Sequence, residues 1–307
     1  MKKQIFIHTK SNILEKERIF MMIKTQTRPF FIVCICHTIL FLITFVRFKK
    51  QTIALLLGSI GFTYLFEYVV LNLLRMYRYK PGVFRNAWVD SIFGAFLSQA
   101  FFVPVKAAFI TLFRLGWKTK VGLALMFGGI EAIFLRKGIF VNRTWNTSFT
   151  VVGIIFYFWF IDQWWLGFRS SKRKLFTVIS LYFSHVIYYT NALFFLFAFT
   201  NVFRFQFPYL TPRSKDWNHF ILAPVYALVV SFFPTISTLL SKGRFKAIAL
   251  GCALLFDQLL IRFKLLNVRN TNIIYFFMLH IVMLFVGDYT YSFFLGVQKE
   301  VVREDVV

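Results

Sequence analysis

Long apolar runs separated by short basic loops extend from about residue 30 to residue 297. A run of about 20 apolar residues crosses a hydrocarbon core of ~30 Å at 1.5 Å per residue of helix. The runs do not alternate apolar and polar positions, as the strands of a membrane barrel do. The pattern therefore predicts nine transmembrane helices, over residues 30–46, 52–74, 89–113, 121–135, 147–168, 175–203, 220–240, 245–263 and 273–297.

The same pattern divides the chain into five segments, and the predicted fold class is an all-α integral membrane protein. The start of the chain lacks the short apolar core and small-residue cleavage site of a signal peptide. We therefore expect a retained basic cytoplasmic leader. The segments are the leader over residues 1–29, a first transmembrane helix over 30–50, four-helix segments over 51–170 and 171–297, and a polar tail over 298–307.

Composition supports a membrane protein and bears on its partners. The chain is 58% hydrophobic and 16% charged, whereas soluble domains are about 45–50% apolar and about 25% charged. The net charge is +24, but Lys and Arg are spread over every loop. This favours contact with the bilayer and its anionic head groups over nucleic-acid binding. The basic leader indicates a cytoplasmic N-terminus in a bacterial cell membrane, and the oligomeric state stays open.

Acidic residues recur at a fixed spacing of 126 positions. Similar helix lengths would align basic loops by themselves, but they do not explain rare acids that match at three depths. The pattern therefore predicts two parallel four-helix repeats, an architecture found among transporters. The acids match as Asp90 with Asp216, Glu131 with Asp257 and Asp162 with Asp288, and Arg78 matches Arg204.

Ionisable side chains within the predicted spans are the candidates for a ligand or ion pathway. Such residues are costly in lipid, so they face the bundle interior and find partners. The candidates are Glu67, Lys106, Glu131 and Asp257. We expect Glu131 and Asp257 to be paired polar positions near the interface between the repeats. The alternative is internal stabilisation, in which Lys106 pairs with Glu67 or Glu131.

The remaining matched charges are expected to be structural. Two acids begin predicted spans, where an acid stabilises a helix N-terminus, and each follows an arginine by twelve residues. Two other acids lie beside aromatic clusters typical of the membrane interface. The first group is Asp90 with Arg78 and Asp216 with Arg204, and the second is Asp162 and Asp288.

Motifs of known enzymes and metal sites are not visible in the sequence. The five histidines and three cysteines lack metal-ligand spacing, and there is no GxSxG, P-loop or GxGxxG pattern. We therefore predict no catalytic residue, no metal and no cofactor.

Three short motifs support a resemblance over about residues 67–165: YKPG at 79–82, D-x-x-x-G-x-x-x-SQ at 90–99, and W-x-T-x-x-T at 145–150. With these motifs the chain resembles a family of uncharacterised multi-pass membrane proteins from endospore-forming Firmicutes. The resemblance implies a membrane location and no particular activity. The second repeat departs from the motifs, with Phe207 where the first has Pro81. If the motif residues are functional, the first repeat is the active one.

The leading functional prediction is a transporter or channel for an ion or small solute. A second interpretation is a structural or sensory membrane protein, linked to sporulation, whose acids form only internal salt bridges. A third is a membrane-embedded enzyme that modifies lipid.

Overall fold

The computed structural model describes residues 27–207, 215–268 and 273–304. The predicted leader up to residue 26, the loop around Arg269 and the last three residues of the tail lie outside this part. Most described residues are helical. The helices are α1 Thr27–Phe48, α2 Lys50–Glu67, α3 Ala87–Phe96, α4 Val103–Leu112, α5 Trp117–Arg136, α6 Thr147–Arg169, α7 Arg173–Thr200, α8 Lys215–Val230, α9 Phe232–Leu240, α10 Gly243–Arg262 and α11 Ile273–Glu304.

Two π-helical segments interrupt the helices of the first half. Tyr68–Leu73 extends α2, and Leu97–Phe102 joins α3 to α4. Wider turns of this kind shift the direction of the following side chains and are frequent at functional sites.

Seven helical stretches are long and apolar enough to cross a membrane, among the described residues. They are Thr27–Phe48, Lys50–Leu73, Ala87–Leu112, Thr147–Arg169, Arg173–Thr200, Asp216–Leu240 and Ile273–Val301. The expected count of nine is therefore not confirmed. The fourth and eighth predicted spans do form helices, α5 and α10. These two helices are not among the seven, because each carries several charged residues along its 20 residues.

Two short β-ribbons close one end of the helices, and the sequence did not predict them. In the first, β1 (Tyr77–Tyr79) pairs antiparallel with β2 (Phe140–Asn142). In the second, β3 (Phe203–Phe205) pairs antiparallel with β4 (Leu266–Val268). In the first ribbon, one strand follows α2 and its π-helical extension, and the other lies between α5 and α6. In the second ribbon, one strand follows α7 and the other lies between α10 and α11. The predicted polar tail also differs, because α11 continues to Glu304.

The elements fall into two sets. The first unit comprises α2–α6 with β1 and β2, and the second unit comprises α7–α11 with β3 and β4. Three features of the first unit recur 126 positions later in the second. The ribbons begin at residues 77 and 203, the 20-residue helices α5 and α10 begin at 117 and 243, and the helices α6 and α11 begin at 147 and 273. The register Tyr77 to Asn142 recurs as Phe203 to Val268.

The two units pack together through their first helices, α2 and α7. A Cβ placed on Gly61 would lie 2.4 Å from Cγ of Phe183, so the backbone of α2 approaches α7 closely. Further along both helices, the Tyr64 hydroxyl donates to Oδ1 of Asn191 at 2.6 Å. Position increases in the same direction on both helices, so α2 and α7 run parallel.

Helix α1 packs onto the first unit. The His37 ring lies 4.7 Å from the Phe102 ring and 6.3 Å from the Phe127 ring, centroid to centroid. Phe30 lies 4.8 Å from Phe134. In the second unit, α9 and α10 pack against each other directly. Helix α1 contributes Phe30 and Val33 to the lining of a cavity in the first unit.

Candidate functional site

A partly open cavity of about 450 Å³ lies in the first unit, and its lining rings Phe66, Phe149 and Phe156 are also exposed on the outer surface. Fourteen of its 24 lining residues are aromatic, and Glu131 is the one charged residue among them in the described chain. Its walls come from α1, α2, the Leu97–Phe102 segment, α5, α6 and the first ribbon. We call it the aromatic cavity. Its aromatic lining is Phe30, Phe62, Phe66, Tyr77, Tyr79, Phe102, Phe127, Phe134, Phe140, Trp145, Phe149, Phe156, Tyr157 and Phe160.

The Glu131 carboxylate is held by the first turn of α6. The Thr147 hydroxyl donates to Oε1 at 2.8 Å, and the Thr150 hydroxyl donates to Oε2. The Trp145 indole N–H donates in turn to Thr150 at 2.8 Å. Each carboxyl oxygen therefore has a donor, as a buried polar group requires, while Glu131 still lines the cavity.

A second carboxylate, Glu67, lies behind the cavity wall. Its Oε2 accepts from the Tyr77 hydroxyl at 2.6 Å and from the Gln99 amide at 2.7 Å. Both donors line the aromatic cavity. Tyr77 lies outside the membrane-spanning helices, and its burial, followed by the nearby Glu67 carboxyl, raises the pKa of Tyr77 well above its usual range. The Tyr77 hydroxyl therefore stays a donor at physiological pH.

The matching acid of the second unit, Asp257, sits in a closed polar network. The Tyr226 hydroxyl donates to its Oδ1 at 2.7 Å, and His280 Nε2 donates to its Oδ2 at 2.9 Å. The Tyr189 hydroxyl contacts His280 Nδ1 at 2.9 Å. All four side chains are buried. Glu131 lines the aromatic cavity and Asp257 does not, so the structure does not bring these two candidates together.

Larger side chains fill the second unit where the first is open. Thr63 is matched 126 positions later by Tyr189, and Ile154 by His280. Thr150, which holds Glu131, is matched by Phe276, a fully buried ring. The same layout of helices thus encloses a cavity in one unit and a packed Asp–His–Tyr network in the other.

Asp90 has a role different from the expected helix cap. Asn86 caps α3, accepting from the backbone N–H groups of the next turn. Asp90 instead turns back onto the YKPG loop, where it accepts from the N–H groups of Gly82, Val83 and Phe84 at 3.0, 2.7 and 3.0 Å. It fixes the loop that leads from the first ribbon to α3. Arg78 donates to the Ala87 carbonyl at 2.7 Å.

The second-unit counterpart, Asp216, joins the two units. Its Oδ1 accepts from Arg204 at 2.9 Å, which forms the ion pair that the twelve-residue spacing suggested. Its Oδ2 accepts from the Asn86 amide of the first unit at 3.0 Å.

Asp162 and Asp288 pair with lysines. Asp162 binds Lys120 and also accepts from the Thr111 hydroxyl at 2.5 Å. Asp288 binds Lys246. The two pairs are 126 positions apart and each ties the start of a 20-residue helix to the following long helix. The first pair is buried more deeply than the second.

Lys106 pairs with neither Glu67 nor Glu131, so that predicted pairing is wrong. Its ammonium lies 3.6 Å from the centroid of the Phe127 ring, and its Nζ has no hydrogen-bond partner within the described residues. Lys106 does not line the aromatic cavity. Its contact with the ring is a cation–π interaction.

Sequence reasoning missed the uncharged partners of the acids. Tyr77, Gln99 and Thr147 are ordinary polar residues of membrane helices and loops, and no spacing rule links them to an acid on another helix. The motifs did contain a signal: YKPG, SQ and W-x-T-x-x-T supply Tyr79, Ser98, Gln99, Trp145 and Thr150 of the cavity lining.

No group of three or more His, Cys, Asp or Glu side chains that could hold a metal ion occurs in the described ranges. A scan against protein-family models, a search of curated proteins and a search of solved structures each found no match.

Proposed function

We propose that this membrane protein binds a small lipophilic cation in the aromatic cavity and carries it across the bilayer. The observation that carries the proposal is the cavity of about 450 Å³ whose lining is mostly aromatic and whose one charged side chain, in the described chain, is the Glu131 carboxylate. Aromatic faces attract cations, and the attraction strengthens when the site excludes water. A cavity of this volume is within the usual range for a small-molecule site.

The chemistry of the walls restricts the class of solute. An anion would face the Glu131 carboxylate without a basic partner, and burying an unpaired charge is costly. A strongly hydrated inorganic cation would lose its water to apolar rings that offer few oxygen ligands. An organic cation with apolar substituents satisfies both conditions, because its charge is spread and its body buries the rings.

We further infer that the chain contains an internal duplication of about 126 residues, in which the first unit keeps the binding cavity and the second supports it. Matched element bounds, matched strand registers and matched Lys–Asp pairs favour this origin. The motif resemblance to a Firmicutes family, a bacterial cytoplasmic membrane, an inward N-terminus and contact with anionic lipid head groups remain predictions.

Binding is tested with two ions of nearly equal size and opposite charge, tetraphenylphosphonium and tetraphenylborate, titrated calorimetrically into the detergent-purified protein. We expect saturable binding of the cation and none of the anion. Glu131→Gln should weaken cation binding at least about tenfold, which corresponds to about 1.4 kcal/mol. The matched control is Asp288→Asn, which alters an ion pair of the second unit and should leave affinity unchanged.

Equal binding of both ions, or full affinity in Glu131→Gln, would overturn the binding proposal. Transport is measured separately, as uptake of labelled tetraphenylphosphonium by proteoliposomes. Binding without uptake would reject the carrier and favour the sensory interpretation.

A further inference from the structure

A second, smaller cavity lies between the two units. It has a volume of about 90 Å³ and is lined by α2, its π-helical extension, α3, the Leu97–Phe102 segment, α7 and α8. We call it the inter-unit cavity. A space of this size holds a few water molecules where polar groups face it. Two buried polar atoms among its lining residues have no hydrogen-bond partner within the described part of the chain.

The first of these atoms is Oε1 of Glu67. The side chain is 6% exposed, and its other oxygen, Oε2, accepts both available hydrogen bonds. An ionised carboxylate needs donors at both oxygens when it is buried. Within the described residues, no protein group donates to Oε1. Either a proton on this oxygen or a hydrogen bond from water in the inter-unit cavity would satisfy it.

The second atom is Nε2 of His219, on the opposite wall. The Phe205 backbone N–H donates to His219 Nδ1 at 3.2 Å, so the ring proton of the neutral imidazole resides on Nε2. Nε2 is buried and has no partner in the described residues. Glu67 of the first unit and His219 of the second therefore line the same small, mostly apolar space, and each has a buried polar atom without a partner in the described residues.

Glu67 connects this space to the aromatic cavity. It lines the inter-unit cavity, while the two side chains that donate to it, Tyr77 and Gln99, line the aromatic cavity. Gln99 lines both cavities. A cation in the aromatic cavity would therefore lie beside Tyr77 and Gln99, the two side chains that donate hydrogen bonds to the Glu67 carboxyl.

We propose that Glu67 is the proton-binding site of the protein, and that its proton leaves through water in the inter-unit cavity when a cation occupies the aromatic cavity. The inference rests on the proposed cation-binding function. One O–H bond of the carboxylic acid breaks, the proton passes to water, and the carboxylate that remains balances the charge of the bound cation. Opposite charges stabilise each other across the Gln99 and Tyr77 wall.

Other titratable groups around Glu67 do not supply the same exchange. The lining residues contributed by α3 and α7 carry none. Burial raises the pKa of Tyr77 and of Tyr79 well above the usual tyrosine range, and each carboxyl oxygen of Glu131 already has a hydroxyl donor. Besides Glu67, the titratable residues that line the two cavities are Tyr64 and Tyr68 on α2 and its π-helical extension, Tyr77 and Tyr79 on β1, Glu131 on α5, Tyr157 on α6 and His219 on α8.

The test measures protons released as tetraphenylphosphonium is titrated into weakly buffered, detergent-purified protein containing a pH indicator dye. We expect up to about one proton released per cation bound, and an affinity that rises with pH by up to about tenfold per unit. The affinity for the cation rises with pH because binding expels a proton, so a lower proton concentration favours binding. Glu67→Gln should bind the cation with no proton release and no pH slope.

Glu131→Gln is the matched control, because it should weaken binding and still release the same number of protons per cation bound. Binding without proton release in the wild type, or unchanged release in Glu67→Gln, would overturn the inference and leave the proposed function standing. Absence of cation binding would instead overturn the proposed function. If Glu67→Gln does not fold, infrared difference spectra of the wild type decide: cation binding must remove a carboxylic-acid C=O band, and its persistence would overturn the inference.

Discussion

Residues 131 and 257 carry matching acids that are stabilised in opposite ways. Glu131 accepts from two threonine hydroxyls and faces a cavity. Asp257 accepts from Tyr226 and from His280, and all three side chains are buried. The difference lies in the neighbours: short side chains leave space around the first acid, and aromatic or imidazole rings occupy it around the second.

The Asp257 network leads to a prediction about stability. Asp257→Asn places an amide N–H₂ among groups that donate, so at least one buried donor loses its acceptor. We expect a loss of about 2–4 kcal/mol in the free energy of unfolding, measured by denaturant titration in detergent. Asp288→Asn, at a partly exposed acid of the same unit, is the control and should stay within about 1 kcal/mol. Equal losses in the two variants would contradict a closed Asp257 network.

Helices of the two units differ where they border the cavities. The first unit contains π-helical segments at Tyr68–Leu73 and Leu97–Phe102, and both contribute to the inter-unit cavity. At the matching positions of the second unit, α7 runs as one continuous helix, and α8 contains Pro224. Asn72 and Gln99 lie in these wider turns and line the inter-unit cavity. A π-helical turn contains more residues than an α-helical turn, so it changes the direction of the side chains that follow.

Close packing of α2 on α7 gives a prediction at the level of these helices. Gly61→Ala would place a methyl group 2.4 Å from the Phe183 ring, so one helix must shift. We expect a destabilisation of about 1–3 kcal/mol, seen as a lower thermal unfolding temperature in detergent. Gly129→Ala on α5 is the matched control, since no atom lies within 4 Å of its added methyl. A stable Gly61→Ala protein would contradict the close approach of the units.

The whole molecule places loops of both units on shared faces. Parallel packing of α2 and α7 brings the two ribbons to one end, and the Asn86–Asp216 hydrogen bond joins the loops there. The turn between α6 and α7 and the turn before α10 lie at the opposite end. This arrangement follows from parallel units and would fail for inverted ones.

Cysteine labelling in sealed vesicles tests that arrangement. In a background with Cys34, Cys36 and Cys252 replaced by alanine, single cysteines are introduced at the exposed positions Arg143, Lys264, Ser171 and Lys242. We expect the cysteines at 143 and 264 to react from one side of the membrane with an impermeant maleimide. Those at 171 and 242 should react from the other. Labelling of 143 and 264 from opposite sides would exclude parallel units.

Local patterns in the sequence determined the helices and the spacing of the charges. An apolar run long enough to cross lipid has one stable backbone arrangement, because every N–H and C=O must be satisfied within the segment. Helix positions were therefore predictable, including the unusual α5 and α10. The number of membrane-spanning helices was not predictable in the same way. Charged residues within α5 and α10 leave these two helices outside the seven stretches that are long and apolar enough to cross a membrane. Matching acids 126 positions apart were also visible in the sequence.

Only the tertiary structure decided which groups meet. Three-residue strands such as Tyr77–Tyr79 carry too little pattern to be predicted, and they form by pairing with residues far along the chain. The donors to Glu131 and Glu67 come from other helices and loops, so their partnership depends on packing. Whether an acid faces a cavity or a filled core depends on side-chain volume across several helices, as Thr63 and its counterpart Tyr189 illustrate, and no single stretch of sequence contains that information.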